Sequence, residues 1–233
     1  FVQAEKYMKE GNKEKAKERY EIAARKGNTD AMNKLGEYYY AKENSFKAEE
    51  WYKKAAKGGN IKAMENLMNF YNRYSSNEKV IEWGTKAAAK GNTIAMNNLG
   101  KFYENNGDKV KAKEWYEKAA AKGETTAMNN LGVFYENNGD KVKSKEWVEK
   151  AAVKGNTVAM ANLGVFYENN GNKVKAKEWY EKAAAKGDTI AMNNLGVYYE
   201  NNGDRVKAKE WYEKAATKGS KEAKEALEKM KKD

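Results

Sequence analysis

The chain of 233 residues has no cysteine, no histidine and no proline. Without cysteine there is no disulfide, thiolate nucleophile or zinc–sulfur site, and without histidine the usual imidazole base and metal ligand are gone as well. Most enzyme templates fall with them, so the chain is expected to be non-enzymatic and to need no cofactor or metal. The lack of proline removes the commonest block to a helical hydrogen-bond ladder. Long apolar runs are missing too: nothing approaches the roughly eighteen residues of a membrane-spanning helix, and no membrane insertion is expected. The chain starts at Phe1 rather than at methionine, inside a partial repeat, which implies an upstream segment. That start and the absence of cysteine favour an exported or periplasmic location over a cytoplasmic one.

What remains is rich in Ala, Lys, Glu, Asn and Tyr, a composition of helices throughout. The net charge is +11, from 45 basic and 34 acidic residues. The two signs are interleaved, so the excess does not single out nucleic acid as a partner.

The sequence steps in units of 32 residues without slippage. Leu35, Leu67, Leu99, Leu131, Leu163, Leu195 and Leu227 mark the step, and Gly27 to Gly219, Trp51 to Trp211 and Met32 to Met192 follow it. A unit of this size cannot bury its apolar face alone and must stack on its neighbours. From Asn156 to Gly187, Ala159, Met160, Leu163, Gly164 and Tyr167 fall at helical spacing on one stripe of a first helix, A. Asn169, Asn170 and Gly171 stop it, since Asn and Gly tolerate the left-handed conformation. Asn172, like Asp108, Asp140 and Asp204, is placed to cap a second helix, B, which is expected to bury Val174, Ala176, Trp179, Tyr180, Ala183 and Ala184. The expected fold has fifteen alternating A and B helices, the first cut short. Their boundaries are expected at about residues 12, 29, 44, 61, 77, 93, 108, 125, 140, 157, 172, 189, 204 and 220. One unit is irregular: Met68 replaces the helix A glycine and Gly84 the helix B tyrosine. Such a swap conserves volume, so the two positions are expected to touch.

Leu163, Gly164 and Tyr167 in helix A, followed by Ala176, Tyr180 and Ala183 in helix B, resemble the tetratricopeptide pattern. The segment from Trp179 to Gly187, with Ala-Met-x-Asn-Leu-Gly before it, is similar more specifically to Sel1-like repeats. The resemblance implies an all-α, right-handed α-solenoid superhelix of about seven helix-hairpin repeats, forming one repeat domain over 1–233 with a C-terminal cap helix at 220–233. It also implies a protein–protein interaction scaffold whose groove is lined by the A helices.

Two adjacent asparagines inside helix A need a reason, because asparagine is a mediocre helix former. Asn66, Asn98, Asn130, Asn162 and Asn194 recur on the face away from the buried stripe. One reading is a ladder that holds an extended peptide by its main chain, since a carboxamide offers both donor and acceptor. The other is that they bond the adjacent repeat and glue the stack. Their neighbours Asn97, Asn129 and Asn193 are expected to be solvated. At the outward position after the helix A glycine, Glu37, Asn69 and Lys101 give way to Val133, Val165 and Val197, so the candidate peptide-binding face becomes apolar along the chain. The aromatic residues are placed in the core, which argues against base stacking and leaves a protein or peptide as the expected partner, with no nucleic acid. Lys118 is expected to pair with Glu114 on a solvated face. The alternative function is a structural module that self-associates; the expected state is a monomer or a weak end-to-end oligomer.

Overall fold

The computed structural model describes residues 1–231 and among them contains fifteen helices and no strand. The A helices are α1 (Val2–Lys9), α3 (Thr29–Ala41), α5 (Ile61–Arg73), α7 (Thr93–Asn105), α9 (Thr125–Asn137), α11 (Thr157–Asn169), α13 (Thr189–Asn201) and α15 (Lys221–Met230). The B helices are α2 (Lys13–Arg25), α4 (Ser45–Lys57), α6 (Asn77–Ala89), α8 (Lys109–Ala121), α10 (Lys141–Val153), α12 (Lys173–Ala185) and α14 (Arg205–Thr217). Every helix begins within two residues of the expected boundary. The last two residues of the expected cap at 220–233 lie outside the described residues. The fold is all-α, an α-solenoid built of helix hairpins. It divides into two compact units, Phe1–Ala119 and the part from Ala120 onward. Within each unit consecutive helices pack on one another, and A helices of successive hairpins also touch, as α11 and α13 do.

A single corner geometry sets the step. At the end of α11, Gly171 has φ 75° and its N–H bonds to the Glu168 carbonyl at 2.9 Å, while the Asn172 N–H reaches back to Tyr167 O at 2.8 Å. This is the paired closure of a glycine-terminated helix. Asn172 then serves as N-cap of α12, its Oδ1 accepting from Lys175 N at 3.1 Å. The opposite corner is the same: Gly187 has φ 93°, the Asp188 N–H bonds to Ala183 O at 3.1 Å, and Asp188 accepts from Ala191 N at 2.7 Å. Thirteen helical residues and three corner residues therefore repeat along the backbone, and two such steps make the sequence repeat. In the Asn-Asn-Gly corners only glycine is left-handed. Asn170 stays at φ −93° and its side chain donates to Phe166 O at 2.7 Å, as Asn106 does to Phe102 O.

Between the helices, alanines let the backbones approach and tyrosines fill what is left. Tyr116 and Tyr180 lie on Gly100 and Gly164, where an added Cβ would collide with their rings. Leu35, Leu67, Leu99, Leu131, Leu163 and Leu195 are fully buried. The irregular unit behaves as expected: Met68 is buried, and its Sδ lies 3.0 Å from where a Cβ on Gly84 would stand. Val80 adds volume where other units have alanine, and it too is fully buried. One expectation fails. Val174 is 67% exposed, because it sits in the first turn of α12, beyond the edge of the hairpin contact.

Glu43 (φ 57°) and Ser75 (φ 55°) occupy the corner position held elsewhere by glycine, in a conformation that costs a residue with a Cβ roughly 1–2 kcal/mol. Glu43→Gly and Ser75→Gly should therefore each stabilise the chain, by about 0.5–1 kcal/mol after the entropy of glycine is charged. Urea melts check this, and a lower midpoint for both variants would contradict it.

Burial raises the pKa of Tyr20, Tyr52, Tyr116, Tyr180 and Tyr212, and in all but Tyr52 a carboxylate hydrogen bond raises it further. Unfolded tyrosine ionises near about pH 10. With the folded pKa raised, the stabilisation is complete below pH 10 and is lost as pH climbs above it toward the folded values. The urea midpoint should fall as pH rises above about 10, with these phenols appearing in the tyrosinate absorbance only as the chain unfolds. Early ionisation of the whole set without unfolding would contradict the assignment.

Candidate functional site

The A helices present one face to the B helices and another outward. In the first unit the outward face carries Asn66, Asn69, Asn98 and Lys101, of which Asn69 and Lys101 are exposed. In the second it carries Asn130, Asn162, Asn194 and the half-exposed Val133, Val165 and Val197, at 40%, 40% and 36%.

The paired asparagines divide their labour. Asn66 Nδ2 donates to Asn33 Oδ1 at 2.9 Å, and Asn162 Nδ2 to Asn129 Oδ1 at 3.0 Å, each bond spanning 33 residues to the preceding repeat. The acceptor asparagines are buried rather than solvated as the sequence suggested: Asn33, Asn97 and Asn129 are 4–6% exposed. The helix A pair is thus a donor facing outward and an acceptor facing the next repeat. Where the partner position changes, so does the bond. Position 65 is Glu65, which binds Lys62 and Asn92, and Asn98 turns instead to Asn69 at 3.3 Å. Position 161 is Ala161, so Asn194 has no asparagine to reach in the preceding repeat. At position 226 stands Ala226, and the buried Oδ1 of Asn193 has no partner. Each bridging carboxamide commits one of its two N–H groups. In Asn66 and Asn162 the other N–H and the carbonyl make no further side-chain hydrogen bond among the described residues.

Cations lie over aromatic rings. Lys118 sits 4.3 Å from the Trp115 ring, and the same lid recurs from Trp51 with Lys54 to Trp211 with Lys214. The expected pairing of Glu114 with Lys118 does not form, although Lys54 and Lys86 each lie over a tryptophan and also pair with Glu50 and Glu82; in α8 Lys113 pairs with Glu117 at 3.6 Å. A lysine three residues on reaches the indole face directly, and that contact is worth as much as an exposed ion pair. The tryptophans are half-buried against the core, so they offer no free platform for bases.

One cleft opens on the A-helix face of the second unit. It measures about 730 Å³ between α9, α10 and α11 and brings together Val133, Glu136, Val148, Asn162, Val165 and Phe166. Nothing in the hydrophobic spacing predicts it. The signal present in the sequence is Trp147-Val148, where the repeats at Trp51, Trp115, Trp179 and Trp211 read Trp-Tyr. A hollow of about 960 Å³ between α14 and α15, lined by Arg205, Glu213, Lys224, Leu227 and Met230 among others, lies where no further helix B is described.

The Sel1 repeat family matches residues 125–156, 157–188 and 189–220, and tetratricopeptide repeat families match 1–60 and 94–121. Each Sel1 match is one whole hairpin: α9 with α10, α11 with α12, α13 with α14. The chain is a Sel1-like repeat protein. A Sel1 repeat protein from Oxalobacter formigenes is 26% identical, with a TM-score of 0.74 over 93% of this chain and 98% of that one. A protective antigen present in uropathogenic Escherichia coli strains, displaying an SLR fold, is 27% identical with a TM-score of 0.66, over 91% of this chain and 50% of that one. The Sel1-like chain therefore spans half the length of that relative. Pseudomonas aeruginosa PilF shares the fold at 20% identity and a TM-score of 0.64, over 88% of this chain and 99% of that one. No curated protein matches the chain in sequence. The repeat fold points to a protein–protein interaction scaffold, and proteins built from it are generally non-catalytic. No described helix is long and apolar enough to cross a membrane.

If the asparagine bridges hold the stack, supplying the missing partner of Asn193 should strengthen it. Ala226→Asn should raise stability by about 1 kcal/mol, since a buried acceptor without a partner costs roughly 1–3 kcal/mol and asparagine gives back part of this as the poorer helix former. Thermal melts would show the gain; a loss of stability would mean that the bridges are incidental.

Proposed function

We propose that this Sel1-like repeat protein holds an extended segment of another protein along the outward face of its A helices, without catalysing a reaction. In the first unit that face comprises Asn66, Asn69, Asn98 and Lys101; in the second, Asn130, Asn162, Asn194, Val133, Val165 and Val197. The observation that carries the reading is the cleft on the second unit's face, where Val133 and Val165 flank Asn162. Apolar side chains exposed beside an amide with one free N–H and one free carbonyl suit a peptide, whose main chain pairs with the amide while its side chains bury against valine. Asn162 then serves twice, with one N–H bonding Asn129 and the rest of its carboxamide facing the ligand.

Peptides selected from a random display library test this. Those enriched on the wild-type chain should bind Val165→Glu at least about tenfold more weakly, because a carboxylate there would be desolvated on binding. Val174→Glu, also exposed but on α12, should bind them as the wild type does, and neither change should shift the melting temperature. Equal loss with both variants, or none with Val165→Glu, would remove the A-helix face as the binding surface.

A further inference from the structure

Five B helices carry a tyrosine at one position, and in four of these its hydroxyl donates to a helix A carboxylate. Tyr20 bonds Glu5 at 2.5 Å, and Tyr116, Tyr180 and Tyr212 bond Glu104, Glu168 and Glu200 at 2.7 Å. Two B helices lack the tyrosine. At Gly84 the loss is filled, by Met68 from helix A and by Val80. At Val148 it is not filled: the helix A residue is still Gly132, and the alanine position carries only Ser144. Val148 itself lies on Gly132, its Cγ2 2.5 Å from where a Cβ on Gly132 would stand. The cleft between α9, α10 and α11 opens beside it.

Val148 lines one wall of the cleft between α9, α10 and α11, which is far larger than a single ring. The matching hollow one repeat later, at Glu168, Lys173, Ala176 and Tyr198, measures about 20 Å³ with Tyr180 in place. The Val148 cleft is about 730 Å³ and is bounded by the corresponding Glu136, Lys141, Ser144 and Phe166. Val148, Leu163 and Phe166 supply apolar wall, alongside the charged Lys141, Lys145, Glu146 and Glu149. At its mouth Glu136 is exposed, and among the described residues its carboxylate has no side-chain partner, whereas Glu104, Glu168 and Glu200 each hold a phenol.

We propose that the cleft beside Val148 receives the phenol of a tyrosine carried by the partner's segment, its ring against Val148, Leu163 and Phe166 and its hydroxyl donating to Glu136. The inference rests on the reading of the A-helix face as the surface that holds such a segment. Its occupant is named by the sister repeats, in which the same carboxylate position takes a para-hydroxyphenyl group. An aliphatic side chain would leave Glu136 without its donor, and a phosphorylated tyrosine would set a dianion against it.

Binding of p-cresol, the tyrosine side chain without a backbone, isolates the cleft from the wider face and can be followed by NMR shifts. Millimolar p-cresol should shift signals of residues 133–170. Toluene should bind about tenfold more weakly, and Glu136→Gln should weaken p-cresol by a similar factor, as expected for loss of a hydrogen bond to a charged group. Val148→Tyr should raise the melting temperature, which reports that the new ring docks in a folded chain, and should abolish p-cresol binding. Acetyl-Gly-Tyr-Gly-amide should bind wild type in preference to its phenylalanine counterpart. A Val148→Tyr variant that melts higher yet binds p-cresol as wild type does would overturn the site, as would equal binding of p-cresol and toluene. Library peptides that lose affinity on Val165→Glu but keep it on Val148→Tyr would overturn the tyrosine site and leave the scaffold reading in place.

Discussion

A left-handed residue, in most cases a glycine followed by a capping asparagine or aspartate, closes the corners of the chain, and the other contacts are indexed to that closure. Because the corner is three residues long in both directions, helix A and helix B are cut to the same length and each hairpin presents the same residues at the same height. Only then can an asparagine find a partner in the preceding repeat and a tyrosine find a carboxylate 12 residues earlier. Glu43 and Ser75 show the strength of the constraint, since they accept an unfavourable backbone conformation rather than break the step.

Much of this was legible in the sequence, for a definite reason. Helix limits depend on local signals, and glycine, asparagine and aspartate recur at fixed offsets from an apolar stripe. The Met68 and Gly84 exchange could also be anticipated, because both halves of a compensating pair are visible in one hairpin. What spacing could not give is which side of a repeat a polar residue serves. Asn129 looks solvated when its helix is taken alone and is buried when the next repeat supplies Asn162. Val174 fails the other way, since periodicity carried the buried stripe into a first turn that the partner helix does not cover. Lys118 was assigned to a carboxylate by a rule for isolated helices, while Trp115 three residues before it offered a ring.

The candidate site shows the same division. The exposed residues Asn69, Lys101, Val133, Val165 and Val197 follow from the repeat and the helical wheel. The cleft does not, because it arises from something uncompensated at Val148, and the absence of compensation is a property of two helices together. In a periodic chain the informative residues are those that depart from the period without an answering change. By that criterion Gly84 is structural, while Val148 distinguishes its repeat from the rest.

The bridges between repeats span 33 residues or fewer, and most packing joins a helix to its immediate neighbours in sequence. Such a chain has low contact order, so loop closure costs little at each stage of assembly. Pulled by its ends, it has no long-range contact that must break before the others. Hairpins would peel away in series at similar forces, each adding a comparable length, so that a scaffold of this kind pays out slack under tension while the hairpins still packed keep their grip.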